Sequence, residues 1–509
     1  MRFTVTNEQM RTAEANADSA GISYMKLMRN AGEACFSRIS KILGNVEGKD
    51  VVILAGRGNN GGDGIVITDL LTAARANAIL VFVQDLPKSE CARECYSVYE
   101  RAIKSTLYVH RKETVQYAIA NCDAVIDCVF GTGFHGELDQ TVSELFAYTN
   151  ENCSGVRISV DVPSGINSDT GEIAENAFCP DFTIVLAAMK RGLYSHPAYE
   201  SCGQIILTDI GIPRTMYEGF EAVLSDNALL GMLPQRKAVS HKGDYGRLLN
   251  ISGSAFYTGA AMLSTDGALR TGVGLCTLAT PARVINAVAS AIPEAVYLPL
   301  EQDFDGFINE KAVSLVSDEL VRTKFTAVLV GCGLGNNRST AEMTENVIKR
   351  ADCPVIIDAD GLNSIAPNIN ILKESKKTVI VTPHPAEFSR MTGRPVAEIQ
   401  SDRFGAAKKF AEEYGCITVL KGVNTVIASP AGEIFVNTTG NAGLAKGGSG
   451  DVLAGIIASL AAQGVKPLHA AALGAYLHGL AADTLALRLG KAGLLPRDLP
   501  GILPELMKR

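Results

Sequence analysis

Residues 51–64 read VVILAGRGNNGGDG, an apolar run that empties into a glycine-bearing loop. Residues 51–55 contain no polar position, as expected of a parallel strand buried on both faces. The loop 56–64 follows, and a helix is expected from Ile65. Strand, glycine loop and helix are the phosphate-binding layout of a doubly wound α/β fold. The glycines miss the dinucleotide register, because Asn59, Asn60 and Asp63 stand among them. Amide oxygens and a carboxylate suit a polar ligand or a hard cation better than phosphate alone.

Toward the N-terminus, helices are expected over 7–18 and 24–42, with Thr6 and Gln9 as a capping box. Toward the C-terminus, strands over 78–83, 106–109, 124–126 and 156–160 alternate with helices over 88–104 and 113–120. The strand 124–126 delivers Asp127, and the loop runs on to Glu137. The strand 156–160 delivers Asp161, followed by Val162, Pro163, Ser164 and Gly165. Carboxyl ends of parallel strands lie along one edge, so Asn60, Asp127 and Asp161 are expected to converge there. A single such aspartate would read as a loop or helix cap, whereas three glycine-flanked strand ends read as a site. His135 and His196 lie in loops and are open to either a surface or a site role.

A chain of 509 residues exceeds one ordinary core, and we expect two domains, 1–222 and 223–509. Apolar residues at 47% and charged residues at 20% describe globular material. The net charge of −7 comes without a basic run, which argues against nucleic acid as a partner. No apolar stretch reaches the roughly 20 residues of a membrane span, and the start lacks a signal core. The 12 cysteines show no metal spacing and read as buried free thiols in a reducing cytoplasm.

The second half alternates again, with strands expected over 247–251, 273–278, 327–330, 355–357, 378–381, 418–420 and 423–428. The helix over 258–270, rich in alanine and glycine, suits close packing. Pro383 and Pro385 hold His384 between them, and Lys421 ends a strand beside Gly422. The stretch 440–455, GNAGLAKGGSGDVLAG, is a second glycine loop opening into a helix N-terminus, where an anion is favoured. Asp451 at that mouth is either a helix cap or a base acting on the group that attacks a phosphate. Lys421 is either a solvated lysine at a strand end or, beside this second phosphate-type loop, a cation that meets nucleotide phosphate, and the loop favours the latter.

Together these motifs carry a resemblance. GRGNNGGDG (56–64), DCVFGTG (127–133) and DVPSG (161–165) resemble the NAD(P)H-hydrate epimerase domain. HKGDYG (241–246), GCGLG (331–335), DADG (358–361), TPHPAE (382–387), KGVNT (421–425) and the 440–455 loop resemble the ribokinase-like NAD(P)H-hydrate dehydratase domain. Over nearly the whole chain, and in order, the pair is similar to bifunctional nicotinamide nucleotide repair enzymes. That resemblance implies two three-layer α/β/α domains, Rossmann-like then ribokinase-like. It implies epimerisation of the R and S hydrates of NADH and NADPH (NADHX and NADPHX), and dehydration of the S form with ADP or ATP and Mg2+.

By the same resemblance, the hydrate in the first domain is held by Asn59, Asn60, Gly61, Gly62, Asp63, Gly131, Thr132, Gly133, Phe134, His135, Gly136 and Glu137. Asp161 holds it too and is the candidate base, while Asn60, Asp127 and Ser164 match a K+ site. In the second domain Lys421, Gly422, Val423, Asn424, Thr425 and Gly450 match nucleotide contacts, with Gly447, Gly448 and Ser449 completing the loop. Ala260, Gly335, His384 and Asp451 match hydrate contacts, with Asp451 as base. Cys332 departs from the pattern, standing where related sequences usually carry proline. A cytoplasmic homo-oligomer is expected. The alternative is a ribokinase-like kinase of a small alcohol fused to a non-catalytic binding module, which would release a stable phosphate ester and leave the first domain unexplained.

Overall fold

The first seven-stranded sheet is built from β1 (Asp50–Ala55), β2 (Asn77–Phe82), β3 (Thr106–Tyr108), β4 (Ala124–Cys128), β5 (Val156–Val160), β6 (Phe182–Leu186) and β7 (Gln204–Thr208). Its spatial order is β3-β2-β1-β4-β5-β6-β7, and every neighbouring pair is parallel. The computed structural model describes residues 3–220 and 222–508, which fall into two compact units that divide between those two spans. In the first, successive strand residues feed opposite cores, as the pleat requires. Val51, Ile53 and Ile126 pack with Met10, Leu27 and Ile65. Val52, Leu54 and Val125 pack with Ile119, Val142 and Phe146.

The helix after β1 runs Asn59–Ala73, so it begins six residues before the expected Ile65. Glycines follow its two opening asparagines because nothing larger fits at positions 61 and 64. A Cβ on Gly61 would stand 1.9 Å from the Gly56 carbonyl oxygen, and one on Gly64 would stand 2.9 Å from Cys128 Cβ. The asparagines therefore sit on the helix's opening turn, fixed in direction.

The second unit carries a ten-stranded sheet: β8 (Ala222–Leu224), β9 (Arg247–Ile251), β10 (Leu275–Pro281), β11 (Val296–Leu300), β12 (Ala327–Val330), β13 (Val355–Ile357), β14 (Val379–Val381), β15 (Ile417–Leu420), β16 (Thr425–Ala428) and β17 (Ile434–Asn437). The order is β8-β17-β16-β15-β14-β13-β12-β9-β10-β11, parallel except where β16 pairs antiparallel with both neighbours. Between β8 and β9 lies a 3-10 turn, Asn227–Met232, capped by Asp226.

The helix Thr258–Arg270 packs as its small residues foretell. A Cβ on Gly455 of the helix Ser449–Ala462 would meet the Ser264 carbonyl at 2.1 Å. The helix Pro467–Gly493 is long and apolar enough to cross a membrane, yet most of it is buried in the second unit's core. The cysteines are free among the described residues. Nine are buried, whereas Cys91 and Cys153 are half-buried and Cys179 is exposed, contrary to the expectation of burial throughout. These three lie on a helix flank or at element ends.

Candidate active sites

Where the first sheet's order reverses, between β1 and β4, the strand ends open onto a cavity of about 460 Å³. Asn59, Asn60, Asp63, Gly131, Thr132, Gly133, Phe134 and Asp161 line it. Gly61 and Gly62 lie beneath as packing surface. His135, Gly136 and Glu137 are exposed just beyond it, and His135 lines a separate depression with Arg11 and Asp169.

Asn60 is held by its amide nitrogen, which donates to the carbonyls of Phe130 (2.8 Å) and Val160 (3.2 Å). Its Oδ1 is buried with no hydrogen-bond partner among the described residues. Asp127 is fully buried and accepts from Val129 N (3.1 Å), Ser159 Oγ (2.8 Å), Ser164 N (2.9 Å) and Ser164 Oγ (2.6 Å). Burial raises its proton affinity, and those donors work against the rise.

Asp161 has its backbone in the left-handed region, φ +67°. Its carboxylate is paired with the buried Lys190, which also donates to the Leu186 carbonyl at 2.7 Å. Two further acids line the same cavity, Asp63 and Glu14. Burial lifts Asp63 well above the ordinary carboxylate range, with Asp161 and Glu14 adding to the effect. Burial also raises Glu14, against the pull of Lys190. Three carboxylates thus face one lysine, which is paired with Asp161. The sequence reading passed over Lys190 and Glu14. Lys190 follows β6, a strand that reading did not identify, and Glu14 looked like an ordinary charge on an opening helix.

Gly61→Ala is expected to lower the melting temperature of the first unit by the equivalent of about 2 kcal/mol, since its Cβ would collide with backbone. Gly133→Ala, whose Cβ meets nothing within 4 Å, is the control expected to melt like the parent.

In the second unit the strand order reverses between β9 and β12, and the informative loops again lie at strand ends. Lys421 Nζ donates to Asp358 Oδ1 at 2.8 Å and stands 3.8 Å from Glu387 Oε2. Thr382 Oγ1 also donates to Asp358 Oδ1, at 2.7 Å. Burial works against the charge of Lys421, but Asp358 and Glu387 outweigh it and leave the lysine above its ordinary value. Ligand-type atoms of Cys332, Asp358 and Asp451 lie within 4.8 Å of one another. Burial, followed by the charge of Asp358, lifts Asp451 to about 7. Asp451 sits in the first turn of the helix Ser449–Ala462, which starts from Gly448 at φ +102°. Gly450 presents no side chain there, and a Cβ on it would stand 3.2 Å from Lys421 Nζ. Ser449 Oγ is buried with no hydrogen-bond partner among the described residues.

His384 caps the helix Pro385–Thr392, its Nδ1 accepting from the N–H groups of Ala386 (3.1 Å) and Glu387 (3.3 Å). Burial, then Lys421, lowers its proton affinity. The neutral ring therefore carries its proton on Nε2, the atom 3.3 Å from Glu387 Oε1. Gly335 N donates to Asp360 Oδ2 at 2.8 Å, and Ala260 packs against Gly333. Gly422 lies against the Arg403 guanidinium, Asn424 is left-handed at φ +55°, Thr425 Oγ1 donates to the Gly422 carbonyl at 3.0 Å, and Val423 and Gly447 are exposed. Asp358 and Glu387 were quoted in the sequence motifs but given no role, because their partner Lys421 is distant in the chain.

Two family models match the chain: one described as YjeF-related protein N-terminus, over residues 25–192, and one described as NAD(P)H-hydrate dehydratase, over 248–505. The bifunctional NAD(P)H-hydrate repair enzyme Nnr of Moorella thermoacetica is 35% identical, over 99% of this chain and 97% of its own. The enzyme of the same description from Escherichia coli is 32% identical, over 96% of this chain and 91% of its own. The crystal structure of the ADP/ATP-dependent NAD(P)H-hydrate dehydratase of Bacillus subtilis, co-crystallised with ATP and Mg2+, is 38% identical. It covers 55% of this chain and 94% of that one, with a TM-score of 0.48.

Proposed function

The chain belongs to the bifunctional NAD(P)H-hydrate repair enzymes, and from that membership we propose how its two sites divide the work. The first interconverts the R and S hydrates of NADH and NADPH. The second takes the S hydrate and, with ADP or ATP as the magnesium complex, returns the reduced nicotinamide nucleotide. The observation that carries the reading is Asp451, held at about 7 in the first turn of a helix that opens from a glycine loop, with Lys421 alongside.

At the second site Asp451 takes the proton from the hydrate hydroxyl as that oxygen attacks the terminal phosphoryl group. The backbone N–H groups from Gly447 to Gly450 face the transferred charge, and Lys421 to Thr425 hold the nucleotide. His384, Gly335 and Ala260 position the nicotinamide side. Phosphate then departs with its bonding electrons as the ring nitrogen's lone pair moves in, and loss of a neighbouring proton restores the double bond. At the first site Asp161, paired with Lys190, moves the proton, while Asn59, Asn60, Asp63 and Gly131 to Phe134 line the cavity that takes the hydrate.

The donors around Asn60 fit a potassium ion. Asn60 Oδ1 is a buried acceptor in want of a cation, and Asp127 supplies negative charge beside it through the Ser164 network. An ion held there by Asn60, Asp127 and Ser164 would fix the loop walls and offset buried negative charge. The family resemblance also supports a cytoplasmic homo-oligomer as the working form.

The test supplies a mixture of both hydrates with Mg2+ and ADP or ATP and follows the near-ultraviolet absorbance of reduced nicotinamide. Full recovery with either nucleotide is expected. A stable phosphorylated hydrate in its place would point to the small-alcohol kinase alternative. Asp161→Ala should repair the S hydrate at the parental rate and strand most of the R hydrate. Prompt consumption of both epimers by that variant would remove Asp161 from the mechanism.

A further inference from the structure

Resting on the epimerase reading of the first site, we propose that Glu14 is the second proton carrier of that reaction, working as acid while Asp161 works as base. Glu14 lies on the helix Asn7–Ser19, ahead of the region matched by the YjeF-related family model, so neither that match nor the motifs reach it.

The geometry begins with how that helix is fixed. Thr6 and Gln9 cap it reciprocally, at 3.0 and 3.2 Å. Asn7 N donates to Asp169 Oδ1 at 2.8 Å, and Ser168 Oγ donates to Asn7 Oδ1. Asp169 and Ser168 belong to the loop that follows Asp161 and Ser164, so the helix is docked onto the segment carrying the proposed base. Met10, Ala13 and Ala17 bury the inner stripe of the helix. Position 14 flanks that stripe, and with Met10 and Arg11 it forms part of the cavity wall. Within the cavity Lys190 is paired with Asp161, whereas Glu14 has no hydrogen-bond or ion-pair partner among the described residues. Burial raises the proton affinity of this unpaired carboxyl, with Lys190 and Arg11 pulling it back and Asp161 adding to the rise, which suits Glu14 to the role of acid.

The chemistry needs both states at once. The hydroxyl sits on the carbon next to the ring nitrogen. Its carbon–oxygen bond breaks as the nitrogen lone pair forms a carbon–nitrogen double bond, and Glu14 gives its proton to the departing oxygen, so that water leaves. Water then adds to the other face. Asp161 takes the proton of that water, and the double-bond electrons return to nitrogen. One proton has passed from Glu14 to Asp161, and turnover in the opposite sense passes it back. Atoms and charge balance without any further reagent.

The full-length chain tests this, because its other site reports on folding. Glu14→Gln is expected to lower the epimerisation kcat at least about 100-fold, with KM for the R hydrate within about threefold of the parent. Its S-hydrate repair should proceed at the parental rate. Glu14→Ala is expected to lose the same turnover and to regain tenfold or more of it when formate is added, whereas Glu14→Gln, whose amide fills the space, should not respond. A merely structural glutamate would not be replaced by formate. Overturning results are an epimerisation kcat within threefold of the parent for Glu14→Gln, or a lost turnover in Glu14→Ala that formate does not restore. If the parent chain itself fails to interconvert the hydrates, the epimerase reading fails first, and the two failures are told apart by that control.

Discussion

Replacing Asp451 with asparagine is expected to abolish S-hydrate repair and, in the same variant, to stabilise the unit that carries it. The activity loss follows from removing the only side chain proposed to take the hydroxyl proton, and should amount to about 10³-fold or more. The stability gain follows from linkage. Burial and Asp358 raise Asp451 from an unfolded value near 4 to about 7, so the folded state binds the proton more tightly than the unfolded chain does. As pH rises from about 4 to about 7 the unfolded chain ionises first, and the folded state loses ground throughout that window. Above 7 the penalty is fully present. A shift of this size is worth up to about 4 kcal/mol, and solvent at the carboxylate's rim screens part of it, so about 2 kcal/mol is expected. The asparagine variant should therefore melt higher than the parent at pH 8 and alongside it at pH 4. Its epimerisation should be untouched. The parent's own kcat should fall about tenfold per pH unit below 7. A flat profile from pH 5 to 8 would argue that another group takes the proton.

Lys421→Met should do the reverse and destabilise. Asp358 is buried, 1% exposed at its side chain, and Lys421 Nζ lies 2.8 Å away. Thr382 bonds the same carboxylate oxygen but brings no charge. Removing the lysine leaves a buried carboxylate uncompensated, with Glu387 close by, a loss of about 3–5 kcal/mol. Denaturant unfolding of the second unit reads that loss directly. Nucleotide titration should show affinity falling about 100-fold, because the cation proposed to meet phosphate is gone. Adding Asp358→Asn to Lys421→Met should recover most of the stability and none of the nucleotide affinity. If the single variant unfolded at the parental denaturant concentration, the ion pair would not be the element that holds these strand ends together.

Most of both sheets was legible in the chain because central parallel strands are apolar on both faces and stand out from their loops. Two of the strands that escaped notice lie where this signal fades, whereas Phe182–Leu186 and Ile434–Asn437 were missed although they are apolar and lie inside their sheets. Ala222–Leu224 has three residues at a sheet edge, and Val296–Leu300 contains Pro299 and is also an edge strand. Asn60, Asp127 and Asp161 could be anticipated together because each ends a strand on a common edge. Glu14 and Lys190 could not. Their place in the site depends on a helix docked by its buried stripe, and on a turn beyond β6, neither of which a local pattern encodes. Cys332 fits this view. As a departure in a motif it was visible, but its Sγ lies 3.8 Å from Asp358 Oδ2, a contact that only the folded chain reveals.

The backbone of Asp161 carries a consequence for which residues the position can hold at all. At φ +67° the main chain occupies a region that glycine, asparagine and aspartate enter at little cost and most other residues enter at about 1 kcal/mol or more. The position is therefore filtered twice, once for a carboxylate and once for backbone shape, and only aspartate passes both. Glutamate keeps the charge and fails on shape, while asparagine keeps the shape and loses the charge. A drifting sequence that abandoned the chemistry would be expected to settle here on asparagine or glycine, so the residue found at this one position distinguishes a working proton site from a retained scaffold.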